Sequence, residues 1–218
     1  MEINYRDIAV DSKFYNESCT RIFGFKKHLA NKYSISTSEI SWEHIQRYLT
    51  DLIKEKKLIL RYVDISTDFG GYSECKNNTY IMIINRNKAI IDSRLRFTLT
   101  HELAHILLHL PPATDLGFRL PRRKMLSLKQ TELQADFAAN DLLMSSETIR
   151  EKLLDGNTFQ ELQNWFMVSQ SAMQTRLHNY FVFELGYDFE MVKSLVNKYR
   201  YENSYELIYK IPINIIAI

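Results

Sequence analysis

Cysteine is nearly absent: the 218 residues contain only Cys19 and Cys75, far apart, which argues against a disulfide-stapled secreted scaffold and for a reducing, cytoplasmic setting. Long apolar runs are missing too. The richest stretches, Tyr80 to Ile84 and Ile211 to Ile218, fall far short of the ~20 residues needed to span a bilayer, so no membrane association is expected. The start, Met1-Glu2-Ile3-Asn4-Tyr5-Arg6-Asp7, lacks a basic segment followed by an apolar one, and no signal peptide is expected. Charge of one sign is not in excess either. Lys and Arg number 28 against 26 Asp and Glu, a net charge of +2, so the overall field does not recruit nucleic acid and direct nucleic-acid binding is not expected. No period of 20 to 50 residues recurs and no low-complexity tract interrupts the chain, which excludes a repeat array.

What remains is material for a conventional globule. Hydrophobic residues make up 45% and aromatics 12%, enough for one domain or one domain with a small appendage. Apolar spacing predicts helices over Asp11 to Lys27 and Ser38 to Lys56, the second opening with Ser38 as cap and carrying Ser41-x-x-His44 spacing, with Ile45, Tyr48, Leu49 and Leu52 on one face. Leu58 to Val63 reads as a strand. Gly70-Gly71 breaks the pattern, and Lys76-Asn77-Asn78 turns the chain into a second strand, Thr79 to Asn85, rich in β-branched and aromatic residues. That strand is expected either to offer a free edge to an extended substrate or to lie fully inside the sheet. Helical spacing runs from Ser93 to Leu110, where Pro111-Pro112 forbids continuation, and again from Leu128 to Met144. Between them Leu116 to Lys129, carrying Arg119, Arg122, Arg123 and Lys124, reads as a basic connecting loop. Shorter helices are expected at Ser146 to Leu154, Thr158 to Trp165, Ser169 to Phe181 and Asp188 to Tyr199, with a terminal strand within Tyr205 to Ile218.

The chemistry concentrates in His101-Glu102-Leu103-Ala104-His105. Four residues apart on a helix, His101 and His105 project from one face and can converge on a single metal ion. Glu102 lies where its carboxylate reaches an attacking water rather than the metal, the position of a general base. Leu99, Leu103, Ile106 and Leu110 form one apolar stripe, and Phe97, Ala104 and Leu108 another, so the site is built on a buried helix. A catalytic zinc takes three protein ligands and keeps one position open. Glu132, on the next long helix, is the candidate third ligand. Asp136, one turn further, is the candidate acceptor for the second ring N–H of His101. His109 is assigned a structural role near the helix end, and a thiolate ligand from Cys75 is set aside because two histidines and a glutamate already complete a hydrolytic set. Tyr72, Tyr80, Arg96 and His178 are open candidates for stabilising an oxyanion.

The block Arg96-Phe97-Thr98-Leu99-Thr100-His101-Glu102-Leu103-Ala104-His105-Ile106-Leu107-Leu108-His109, followed by Glu132-Leu133-Gln134-Ala135-Asp136-Phe137-Ala138-Ala139-Asn140-Asp141-Leu142-Leu143-Met144, closely resembles the ImmA/IrrE family of metallopeptidases. The likeness covers about Ile81 to Met144, with an echo at Trp165 to Ser169 and Arg176-Leu177. It departs where the family often has Gly in place of Ala104 and Pro in place of Ser145, neither of them a ligand. The resemblance implies an α+β, zincin-like metallopeptidase domain over residues 1–145, with a small mixed sheet and the HExxH helix. A mostly helical C-terminal region, residues 146–218, is expected to pack on it. The resemblance further implies Zn2+ held by His101, His105 and Glu132, and Glu102 as base. By the same likeness, the substrate is a separate helix-turn-helix repressor whose cleavage relieves repression in a phage, mobile-element or stress switch. Two other readings stay open: a DNA-binding regulator using Phe159 to Phe181 as helix-turn-helix with Arg119 to Lys129 on phosphates, and a zinc-bound, non-proteolytic protein that sequesters a repressor or acts as a toxin.

Overall fold

The structure, a computed structural model, describes residues 8–66, 70–87, 92–111 and 127–212. The chain divides between Leu143 and Met144 into two compact units. The first contains helix α1 (Ile8–Tyr33), a 3₁₀ turn (Thr37–Glu39), helix α2 (Trp42–Lys54), strands β1 (Leu58–Val63), β2 (Gly71–Lys76) and β3 (Thr79–Asn85), and helices α3 (Asp92–Leu108) and α4 (Leu128–Leu143). The second contains helices α5 (Ser146–Leu154), α6 (Phe159–Phe166), α7 (Gln170–Asn179) and α8 (Phe189–Glu202), a π-turn (Tyr180–Glu184) after α7 and a closing 3₁₀ turn (Tyr205–Lys210). The architecture is therefore α+β, mostly helical, with a small mixed sheet in the first unit. Among the described residues no helix is long and apolar enough to cross a membrane.

Helix α1 continues beyond Lys27 because its buried stripe continues: Ile22, Phe25 and Leu29 are fully buried and Ala30 nearly so. Ser34, with φ of 55°, then reverses the backbone while the Ile35 amide bonds the Ala30 carbonyl at 3.0 Å, closing the helix end. The cap of α2 is Ser41, not Ser38, which lies in the preceding 3₁₀ turn: the Ser41 amide donates to His44 Nδ1 at 3.2 Å, so the Ser41-x-x-His44 spacing closes the helix start.

The sheet runs β1-β3-β2, with β3 parallel to β1 and antiparallel to β2. Thr79 to Asn85 is thus the central strand and offers no edge. Its alternate residues Tyr80, Met82 and Ile84 are at most 1% exposed, and both of its flanks are occupied by ladder partners. The segment after Gly70 is not a break but β2 itself. Asn77 and Asn78, with φ of 49° and 61°, make the two-residue turn that folds β2 back along β3.

Helix α3 buries Leu99, Leu103, Ala104, Ile106, Leu107 and Leu108. The His109 and Leu110 amides both bond the His105 carbonyl, and the Tyr80 hydroxyl donates to the Pro111 carbonyl at 3.1 Å, tying the helix end to the central strand. Ser127 precedes helix α4, and its amide donates to Gln130 Oε1 at 2.9 Å. An ion pair ties α1 to α4: Lys26 Nζ lies 3.2 Å from both Asp141 oxygens, and the two residues are only 4% and 5% exposed.

In the second unit each of α5 to α8 is capped by a side-chain oxygen, from Ser145, Thr158, Ser169 and Asp188. Arg176 is completely buried and holds the Met144 carbonyl, Ser146 Oγ and Glu184 Oε1. The tail is not a strand over Tyr205 to Lys210. Ser204 Oγ accepts the Glu206 amide, Leu207 is buried, and the chain winds into a 3₁₀ turn. The terminal residues 213–218, and most of the expected basic loop with Arg119, Arg122, Arg123 and Lys124, lie outside the described residues.

Candidate metal centre

The i, i+4 spacing on α3 brings His101 and His105 to one face, with their Nε2 atoms 3.0 Å apart. Helix α4 runs alongside and presents Glu132, whose Oε2 is 3.2 Å from His101 Nε2 and whose Oε1 is 3.4 Å from His105 Nε2. Among the described residues these three form a cluster able to hold a metal ion. Around a tetrahedral ion with bonds of about 2.0–2.1 Å, ligand atoms stand roughly 3.3–3.4 Å from one another, close to the spacings of these three atoms. Two imidazoles and a carboxylate are also a donor set that zinc accepts. The residues present therefore fit a catalytic divalent cation. Cys75 is not part of the cluster.

Asp136, one turn beyond Glu132, lies with Oδ1 2.9 Å from His101 Nδ1, on the ring nitrogen that faces away from the cluster. The His101 imidazole is drawn down by burial, but Asp136, with Glu102 and Glu132, outweighs this and raises its pKa. His105 is lowered, by burial first and by His101 second. A dication among these groups would favour their deprotonated forms.

Glu102 turns from the same helix toward β2. It is 4% exposed, and Ser73 Oγ, which lies 2.5 Å from Oε2, donates to it. Burial raises the Glu102 pKa, with Ser73 and His101 opposing and Glu132 adding to the rise. Gly71 leaves the space the carboxylate occupies: a Cβ there would stand 2.7 Å from Oε1 and 2.8 Å from Cγ. Sequence reading missed both residues. It took Gly71 for a chain break, and a serine opposite a glutamate 29 positions away leaves no local signal.

His109 is not merely a helix-end residue. Its Nδ1 lies 3.0 Å from His105 Nδ1, and its Nε2 lies 3.2 Å from Gln134 Oε1, while burial lowers its pKa to about 4. The repeat of four residues from His101 through His105 to His109 was the available clue. Of the oxyanion candidates, Tyr80 is buried with its hydroxyl on the Pro111 carbonyl, and the exposed Tyr72 donates to Glu74 at 3.3 Å. His178 belongs to the second unit, where it is buried beside Phe189.

A comparison with the curated proteins finds no match. The family model Peptidase_M78, described as the IrrE N-terminal-like domain, matches residues 60–178. The match begins in β1, takes in all of α3 and α4 with His101, Glu102, His105, Glu132 and Asp136, and ends in α7. Covering more than half of the sequence and containing the whole cluster, it establishes that the chain belongs to the Peptidase_M78 family of metallopeptidases.

Proposed function

We propose that the protein is a zinc-dependent endopeptidase in which His101, His105 and Glu132 hold the ion, Glu102 is the general base and Asp136 supports His101. The observation that carries this reading is the mutual approach of His101 Nε2, His105 Nε2 and the Glu132 carboxylate at 3.0 to 3.4 Å, with Glu102 adjacent on the same helix. Zinc held there supplies Lewis-acid polarisation of the scissile carbonyl and makes water nucleophilic near neutral pH. Glu102 accepts the proton of the attacking water and returns it to the leaving amine, a transfer served by the raised affinity for protons that burial gives it. Ser73 and Gly71 hold the carboxylate in place during this exchange. Strand β2 lies at the sheet edge beside Glu102, and an extended substrate segment can add to it through main-chain hydrogen bonds.

The family likeness supports a protein substrate, and within that class we assign a separate helix-turn-helix repressor whose cleavage relieves repression. The regulator alternative loses its best contacts. Arg176 and His178, the basic residues of its recognition segment, are 0% and 2% exposed and face inward. The test is co-expression of the protein with a helix-turn-helix repressor, followed by mass spectrometry of the repressor and elemental analysis of the protein. Wild type is expected to carry zinc and yield defined fragments, and Glu102→Gln is expected to carry zinc and yield none. Fragments from both refute the role of Glu102; zinc without fragments from either favours sequestration instead of cleavage.

A further inference from the structure

We propose that His109, Gln134 and Glu17 form a hydrogen-bonded chain that fixes the tautomer and orientation of His105 and thereby sets the metal affinity of the centre, a proposal that rests on the metallopeptidase reading above. A neutral imidazole has one N–H and one lone pair. His105 turns Nε2 toward His101 Nε2 and Glu132 Oε1, so for that nitrogen to offer its lone pair to a cation, Nδ1 must carry the hydrogen. His109 Nδ1, at 3.0 Å, is placed to accept it. Accepting there obliges His109 to be the Nε2–H tautomer, and its Nε2 lies 3.2 Å from Gln134 Oε1. With its oxygen so used, the nearly buried Gln134 turns its amide nitrogen to Glu17 Oε2 on α1, at 3.5 Å. Metal binding at His105 Nε2 therefore permits one direction of donation along the whole chain. One turn beyond Glu17, Arg21 Nη2 donates to the Leu108 carbonyl at 2.9 Å, so α1 also steadies the backbone from which His109 springs.

The two histidines are thus backed differently on their Nδ1 sides. His101 Nδ1 meets the Asp136 carboxylate directly, whereas from His105 Nδ1 a carboxylate is reached only through two neutral groups. Glu102, Glu132 and Asp136 already place three carboxylates around the centre, and a fourth against His105 would add repulsion between like charges. A neutral chain holds the ring without that repulsion. His109 and Gln134 are positioning residues: they act through His105 and touch neither metal nor substrate.

The experiment is a zinc competition titration of the full chain, paired with thermal unfolding of the metal-free proteins, for wild type, His105→Ala, His109→Leu, His109→Gln and Gln134→Leu. His109→Leu is expected to weaken zinc binding about 10- to 100-fold while the metal-free unfolding midpoint stays at the wild-type value. His109→Gln, whose amide can accept from His105 and donate to Gln134, is expected to recover most of that loss. Gln134→Leu, which removes the acceptor of His109 from another helix, is expected to weaken binding several-fold and provides the test should His109→Leu fail to fold. In zinc-loaded wild type, nitrogen-proton NMR is expected to find His109 protonated on Nε2. Wild-type affinity in both His109→Leu and Gln134→Leu, no recovery in His109→Gln, or a His109 protonated on Nδ1 overturns the proposal. If wild type binds no zinc, the metallopeptidase reading falls and this one with it; if wild type binds and only His105→Ala is impaired, this one falls alone.

Discussion

Gly71→Ala isolates the role of Glu102 without touching a ligand. The added Cβ would stand 2.7 Å from Glu102 Oε1 and 2.8 Å from its Cγ, where ordinary contacts begin near 3.4 Å. The carboxylate is nearly buried and its other oxygen is held by Ser73, so it must be displaced by the better part of an ångström or the strand must shift. A general base contributes about 10²- to 10⁴-fold, and a 1 Å misplacement costs on the order of 10²-fold. The expected outcome is a kcat/KM about 100-fold lower, or roughly 2.7 kcal/mol of transition-state stabilisation, with zinc content unchanged. Overpacking of this kind costs about 1–3 kcal/mol of stability, so the comparison is made well below the unfolding midpoint. Gly70→Ala is the control: among the described residues its Cβ would meet only Thr98 Cγ2, at 3.9 Å, and activity should be retained. Initial rates on a quenched-fluorescent peptide library, with elemental analysis of both variants, decide the matter. Full activity in zinc-loaded Gly71→Ala, or equal damage from Gly70→Ala, refutes the placement of Glu102 against β2.

Three further outcomes are expected. Asp136→Ala removes the carboxylate 2.9 Å from His101 Nδ1 and should weaken zinc affinity about 10- to 100-fold; an unchanged dissociation constant contradicts its supporting role. Lys26→Met strips the buried Asp141 carboxylate of its cation and should cost about 3–5 kcal/mol in denaturant unfolding, most of it recovered by the double change with Asp141→Leu; a loss below 1 kcal/mol shows the pair is not structurally required. His178 has its pKa lowered to about 4, by burial first and Lys193 second. Because the folded-state value lies below the unfolded one, its contribution is present above about pH 6.5 and is lost as pH falls toward 4, about 3 kcal/mol in all. In His178→Phe the slope of stability against pH across that window should drop by up to one proton, and an unaltered slope rules the assignment out.

The elements legible in the sequence are those that report their own local physics. The β-branched, apolar run of β3 and the apolar stripe of α2 each stand where the sequence puts them, because composition and side-chain period are properties of consecutive residues, although α2 starts at the Ser41 cap and not at Ser38. The same holds for His101 and His105, since an i, i+4 pair on a helix shares a face whatever surrounds it. The 3.0 Å approach of their Nε2 atoms needs more than spacing, because it depends on how the two rings are turned. Periodicity was less informative for β2, whose residues around Gly71 are mixed in character and whose strand state comes from pairing with β3. It was misleading for Tyr205 to Lys210, where a serine cap and one buried leucine outweigh weak alternation.

Tertiary structure alone decided which groups meet across elements. Glu132 joins the two imidazoles and Gln134 reaches His109 because α4 lies along α3, Ser73 and Gly71 embrace Glu102 because β2 is the strand beside that helix, and Glu17 reaches Gln134 because α1 packs on α4. A sequence pattern marks which side of an element is apolar, but not which element will cover that side. Contacts between residues 29, 31 or 117 positions apart are fixed by packing, where no local preference acts.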